Sequence, residues 1–274
     1  MIKKILLLNL TVASLLSAGE IQPKQLPHDS EWYVHLNVER LAAGGIGQGL
    51  SSFVESTFNE HYQRAKGFYF LLTPVLELKG ITVFGDGALR GGSVLINAKL
   101  NRSLIVDILE SAEEYSEEQK AGVTVHSWKV GKQTFHAAFH GEEHLLVGKD
   151  AALFHAALST LTGQAKGMDA AAEGGGGALV QGRANIEAMK LPSDVSTFTE
   201  AVKLLAFSVA ENGGLLSATA RLNASDPQEA QDLKVELDGI IGLSLIADVD
   251  MKLESRVDGK TVIISASIPL SGSR

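Results

Sequence analysis

No cysteine occurs anywhere in this sequence. That absence removes disulfides, thiolate nucleophiles and cysteine-based zinc sites. It also removes the lipid-bearing cysteine of a bacterial lipoprotein. The fold must therefore be held by packing and backbone hydrogen bonding alone. Positive charge is in short supply as well: 24 Lys and Arg stand against 32 Asp and Glu, a formal charge of −8. A chain this acidic lacks the long-range attraction to phosphate on which nucleic-acid binding depends. The same deficit disfavours an anionic membrane surface. Long apolar runs are missing too, with one exception at the N-terminus.

That exception has the layout of a secretory signal. Lys3 and Lys4 precede an apolar stretch, Ile5–Leu16, and Ser17, Ala18 and Gly19 supply small residues at a cleavage site. The stretch is shorter than the roughly 20 apolar residues of a transmembrane helix. Residues 1–19 therefore read as a signal peptide, and the rest as a periplasmic or secreted protein with no integral membrane segment. The remaining length suits one large domain or two small ones.

Two stretches of the chain match. Gly91–Asn101 (GGSVLINAKLN) aligns without gaps to Gly213–Asn223 (GGLLSATARLN). Upstream, Gly80–Val83 corresponds to Ala206–Val209, and Tyr33–Glu39 resembles Leu179–Glu187. Downstream, Trp128–Lys132 resembles Arg256–Lys260. Matches in one order predict an internal duplication. Between the copies lies Ala170–Gly177 (AAAEGGGG), whose glycines lose much backbone entropy on ordering and read as a linker. The expected class is α+β. Two related units, 20–169 and 178–274, would each consist of antiparallel sheet with helices packed on one face.

Periodicity places the elements. Trp32, Val34, Leu36 and Val38 alternate with polar residues as in a half-buried strand. Ile46, Leu50, Phe53, Val54 and Thr57 recur at helical spacing. Gly80–Phe84 and Ser93–Leu100 predict a hairpin, and Ile105, Ile108, Leu109 and Ala112 a helix. Val123–Lys129, Gln133–His140 and His144–Val147 predict a meander. A helix capped by Asp150 and closed by Gly163 follows. In the second half, Asp226, Pro227 and Glu229 mark a helix start, and Met251–Arg256 and Val262–Ile268 read as strands. Asn101-Arg102-Ser103 and Asn223-Ala224-Ser225 fit the glycosylation sequon, but their matched places suggest that each serine caps a helix.

The opening after the signal, Leu26–Leu41 (LPHDSEWYVHLNVERL), resembles the start of exported bacterial proteins in uncharacterised domain-of-unknown-function families. Their members open with Leu-Pro, an acidic turn, and a strand ending in Asn or Asp before a helix. Ile81–Gly85 (ITVFG) is similar to their next strand. The resemblance implies export and brings no assigned reaction, cofactor or site residue.

Candidate chemistry centres on histidine. A turn near Gly131 would set His126 opposite His136, and a turn near Glu142 would set His140 opposite His144. All four would then share one face, with Val125, Phe135, Ala137 and Phe139 on the other. His136 and His140 are four strand residues apart, about 13 Å, too far to share one metal. The candidate metal site is therefore His140 and His144 with Glu142. The alternation equally suits a solvated polar face.

Other signals are weaker. Gly44–Gly49 (GGIGQG) follows a strand, but Leu50 stands where the dinucleotide fingerprint needs glycine, and no Lys-Ser/Thr ends it. Asp248 and Asp250 alternate at a strand start, and Phe68–Leu72 (FYFLL) reads as core. No hydrolase elbow, zinc-protease helix or Ser-x-x-Lys set occurs. No catalytic residue and no cofactor is thus implied. The reading is a non-catalytic binding or structural module with a protein or apolar-ligand partner. A carrier of an apolar ligand and a hydrolase using histidine or carboxylate are its alternatives.

Overall fold

A computed structural model describes residues 19–44, 77–87, 91–169, 177–189, 201–244 and 251–270. The elements run β1 (Trp32–Asn37), α1 (Val38–Ala43), β2 (Glu77–Gly85), β3 (Ser93–Lys99), α2 (Arg102–Glu110), β4 (Ser116–Lys120), β5 (Val123–Val130), β6 (Gln133–His140), β7 (His144–Gly148) and α3 (Ala151–Leu161). They continue with β8 (Ala178–Asn185), β9 (Leu204–Asn212), β10 (Leu215–Asn223), α4 (Pro227–Ser244), β11 (Lys252–Asp258) and β12 (Thr261–Pro269).

All twelve strands among the described residues join in a single sheet ordered β11-β12-β10-β9-β8-β1-β2-β3-β7-β6-β5-β4. Every pairing is antiparallel. The expected pair of separate α+β units is overturned here. β1 pairs directly with β8, from Trp32 opposite Ala184 to Leu36 opposite Val180, so the ladder crosses from one half to the other unbroken. Outward from this pair, both halves present a strand, a hairpin and, after a helix, a returning antiparallel run, four strands (β7-β6-β5-β4) in the first half and two (β12-β11) in the second. The matched stretches Gly91–Asn101 and Gly213–Asn223 hold β3 and β10, which take equivalent places in that order. The Trp128–Lys132 match is one hairpin out of place, because β11–β12 sits where β6–β7 sits in the first half.

Helices on one face is the second expectation that fails. On the first half's one face, α2 inserts Ile105 and Leu109 among Ile96, Ala98, Trp128, Ala137, Phe139, Leu145 and Val147. On the opposite face, α3 packs Phe154, Ala157, Leu158 and Leu161 against Tyr33, Phe84, Leu95, Val125, Ala138 and Leu146. The alternation of Leu145, Leu146 and Val147 in β7 feeds both layers, because successive strand residues point to opposite faces. Leu26 and Ile21 complete the α3 layer from the N-terminal segment. In the second half, α4 sets Ala230, Leu233 and Leu237 against Leu222 and Val262, on the face that α2 covers.

Caps explain the helix starts. Asn101 Oδ1 accepts from the Leu104 amide, and Asp226 Oδ1 accepts from the amides of Gln228 and Glu229. The expected caps, Ser103 and Ser225, do neither. Ser103 donates its hydroxyl to Asn101, and the Ser225 amide donates to Glu229. Asp150 caps α3 through the Leu153 amide. Asn37 likewise caps α1, a helix too short to show periodicity. The β9–β10 turn uses Gly213 and Gly214 at φ +58° and +79°, a backbone that favours glycine.

The expected helix at Ile46–Thr57, the rest of the Gly44–Gly49 loop, Phe68–Leu72, Asp248, Asp250 and the signal segment before Gly19 lie outside the described residues. So does most of the expected linker.

Close packing at the centre gives a test. A Cβ on Gly182 of β8 would lie 2.5 Å from the Phe207 ring and 2.8 Å from the Tyr33 carbonyl oxygen. The oxygen belongs to the β1 backbone and cannot yield cheaply. Gly182→Ala is expected to destabilise the chain by about 1–3 kcal/mol, the usual cost of overpacking. Urea unfolding measures it.

Candidate functional site

The β5–β6 turn decides where His126 goes. Val130 pairs with Gln133, leaving a two-residue turn, so Ser127 faces His136 and His126 faces Ala137. A one-residue slip flips a strand's whole side-chain set to the other face. The expectation that His126 sits opposite His136 is corrected accordingly. His126 joins Phe135, Ala137 and Phe139 on the α2 face, while His136, His140 and His144 share the α3 face.

His126 borders an open cleft of about 620 Å³ between α2 and the turns of β4–β6. Its apolar lining is Val106, Val123 and Phe139, and its polar lining includes Arg102, Glu117, His126 and Glu142. The guanidinium of Arg102 lies 5.2 Å from the centre of the Phe139 ring. One of its nitrogens donates to the Gly141 carbonyl. The guanidinium makes no ion pair among the described residues.

Tyr115 organises the other wall. Its hydroxyl lies 2.8 Å from His126 Nδ1 and 3.4 Å from Glu117 Oε2. Its ring stacks on the imidazole at 6.1 Å between centroids, and Phe139 meets the other side of His126 edge-on at 5.8 Å. Burial holds His126 below its ordinary titration range, against the pull of Glu117 and Glu110. Burial, then Glu117 and Glu110, raise the Tyr115 hydroxyl, which keeps its proton. Held low in this way, His126 is a neutral ring whose Nδ1 is hydrogen-bonded to the Tyr115 hydroxyl. Chemically, the cleft offers one cation, two carboxylates and a neutral imidazole around an apolar floor. No residue in it is placed as an activated nucleophile.

The candidate metal ligands divide between faces. His140 lies directly opposite His144, with ring centroids 6.3 Å apart. His144 Nε2 contacts the Gln25 amide at 3.4 Å. Glu142, in the turn, lines the cleft on the other face. Among the described residues no three His, Asp or Glu side chains gather to hold a metal ion.

Two further groups escaped the sequence reading. His155 of α3 stands 6.1 Å from His136, and its Nδ1 is buried without a hydrogen bond. Helical periodicity assigns it only to a half-buried flank. Across the sheet centre, His35, Thr82 and Gln181 form a buried polar row. His35 Nδ1 pairs with Thr82 Oγ1 and its Nε2 with the Gly19 carbonyl oxygen, each at 2.9 Å. Strand alternation places His35 on one face, and the N-terminal segment at Gly19 lies against its ring. A second hollow, about 400 Å³, lies beside this row and is lined by Ser30, Tyr33, Asp169, Arg183, Asn185 and Lys203 among others.

The histidines set a pH dependence. Burial holds His35, His126, His136, His144 and His155 below the ordinary value of 6.5. His155 adds to the effect at His136, and His140 at His144. The unfolded chain then binds protons that the folded chain refuses, so stability rises with pH through this window. It is fully present above about pH 6.5 and declines as pH falls below that value. Urea midpoints from pH 8 to pH 5 check this, and His35→Gln is expected to give a shallower decline.

No family model matches the chain, and no curated protein matches it. Among the solved structures similar to it are crystal forms of TP0453. Form III superposes with a TM-score of 0.56 at 9% identity, covering 92% of this chain and 95% of that one. Form I gives 0.53 at 9% identity over 92% and 94%, and form IV gives 0.51 at 8% over 93% and 95%. At such identity the likeness shows the fold alone. No helix among the described residues is long and apolar enough to cross a membrane.

Proposed function

We propose that this chain is an exported, non-catalytic binding module that takes a small amphipathic zwitterion, such as a short apolar peptide, in the α2–β4–β6 cleft. The observation that carries the reading is the lining of that cleft. Arg102 stands over Phe139 without an acidic partner among the described residues, while Glu117 and Glu142 stand at the same rim. A carboxylate on the ligand would meet Arg102, an amine would meet the glutamates, and an apolar body would cover Phe139, Val106 and Val123. The cleft's volume falls in the range of small-molecule sites, about 300–1,000 Å³. Export rests on the basic, apolar and small-residue layout of residues 1–19, and on the resemblance of Leu26–Leu41 to exported proteins.

Thermal-shift measurements with short apolar peptides test this. Peptides with free termini are expected to raise Tm in a concentration-dependent way, as ligands of the native state do. Peptides with both termini blocked are expected to have no effect. Arg102→Ala is expected to lower the affinity at least tenfold. Equal shifts from free and blocked peptides, or none from either, would refute the zwitterion reading. The mass of the exported chain tests the signal, which is expected to be lost up to Ala18, leaving the Gly19 carbonyl that bonds His35.

A further inference from the structure

The strand β11 closes one end of the sheet, and its outer edge pairs with no described strand. Its sequence is Lys252-Leu253-Glu254-Ser255-Arg256-Val257-Asp258. Exposure alternates along it: Lys252, Glu254, Arg256 and Asp258 point to solvent on one face, and Leu253, Ser255 and Val257 are half-buried on the other. Charges on an edge strand commonly guard it against unwanted pairing. A guard needs charge alone, whereas here the order of charges is complementary to its own reverse. Read backwards, acid meets base at every charged position, and Leu253 meets Val257.

We infer that β11 is a two-fold docking edge for a second copy of this chain. An antiparallel pair centred on Ser255 sets Lys252 opposite the second copy's Asp258 and Glu254 opposite its Arg256. The symmetry repeats both pairs, giving four opposite-charge contacts on one face. On the other face Leu253 covers the second copy's Val257, twice. Opposite charges directly across a pair of strands stabilise it, and like charges oppose it. The register is singled out by the same charges. Centring the pair on Glu254 sets that acid against itself and Lys252 against Arg256. Centring it on Arg256 sets Arg256 against itself and Glu254 against Asp258. Such an interface is self-complementary, as a closed two-fold dimer requires. Backbone hydrogen bonds along the open edge supply affinity, as in strand addition generally. At the other end of the sheet, β4 offers a single such pair, Glu118 with Lys120, over a shorter strand.

Charge exchange tests the proposal on the exported chain, with native mass spectrometry and sedimentation over a concentration series. The unaltered chain is expected to form a dimer. Arg256→Glu is expected to abolish it, because Glu254 then faces an acid twice over. Glu254→Arg is expected to do the same. The double variant carrying both changes restores acid against base in the same register and is expected to dimerise again, which separates lost pairing from lost folding. The chain holds no cysteine, so Ser255→Cys introduces a unique thiol at the two-fold axis. Cα atoms directly opposite in an antiparallel pair lie about 4.5–5.5 Å apart, within disulfide reach. Mild oxidation is therefore expected to link two chains. A chain that stays monomeric throughout overturns the proposal. So does a dimer that survives Arg256→Glu, a double variant that folds but stays monomeric, or a dimer that does not cross-link at position 255.

Discussion

The pairing of β1 with β8 is the interaction on which the rest of this structure depends. It joins residues far apart in sequence and turns two runs of hairpins into one ladder of twelve strands. Backbone hydrogen bonding satisfies the edges that two separate sheets would expose. Tyr33, His35 and Gln181 lie buried along this seam, where polar groups need partners. His35 answers that need by bonding Thr82 on one side and the Gly19 carbonyl on the other, which ties the N-terminal segment to the middle of the sheet.

The coverage of the sheet is unequal, and the sites follow from that inequality. The first half carries α2 on one face and α3 on the other, so its strands read as apolar on both sides, as β7 does. α2 is short and leaves the β4–β6 end of its face open, which creates the cleft around Arg102 and His126. Among the described residues the second half carries a helix, α4, on one face only. Its opposite face shows Arg221, Ser265 and Arg256 to solvent, and its last strand ends the ladder with an open edge. One construction principle, a continuous sheet with local cover, thus yields both a cleft and an edge.

Much of the element order was legible in the sequence, and the reasons for the failures are specific. Strand alternation located β1, β2, β3, β5, β6, β7 and β12, and the Asp150 and Asp226 caps located α3 and α4. β4 was missed because its five residues, SEEQK, are all exposed and carry no apolar alternation. The face of α3 was missed because which side a helix covers is a property of the crossover, not of its own periodicity. The joining of the halves was missed because cross-strand pairing between residues 32–36 and 180–184 leaves no local trace in sequence. Within the candidate site, the turn near Gly131 was correct to one residue, and that residue decided the face of His126. Arg102, Tyr115 and Glu117 could not be grouped in advance, since only the packing of α2 over β4–β6 brings them to one cleft.

Hydrogen exchange under increasing urea, resolved residue by residue, measures the continuity of the sheet most directly. The amides of β1 and β8 are predicted to be among the slowest to exchange, and strands on both sides of them to open in one cooperative step. If instead β8–β12 exchanged as a separate unit at lower urea while β1 stayed protected only by β2, the two halves would be independent sheets, and the account given for the fold would be wrong.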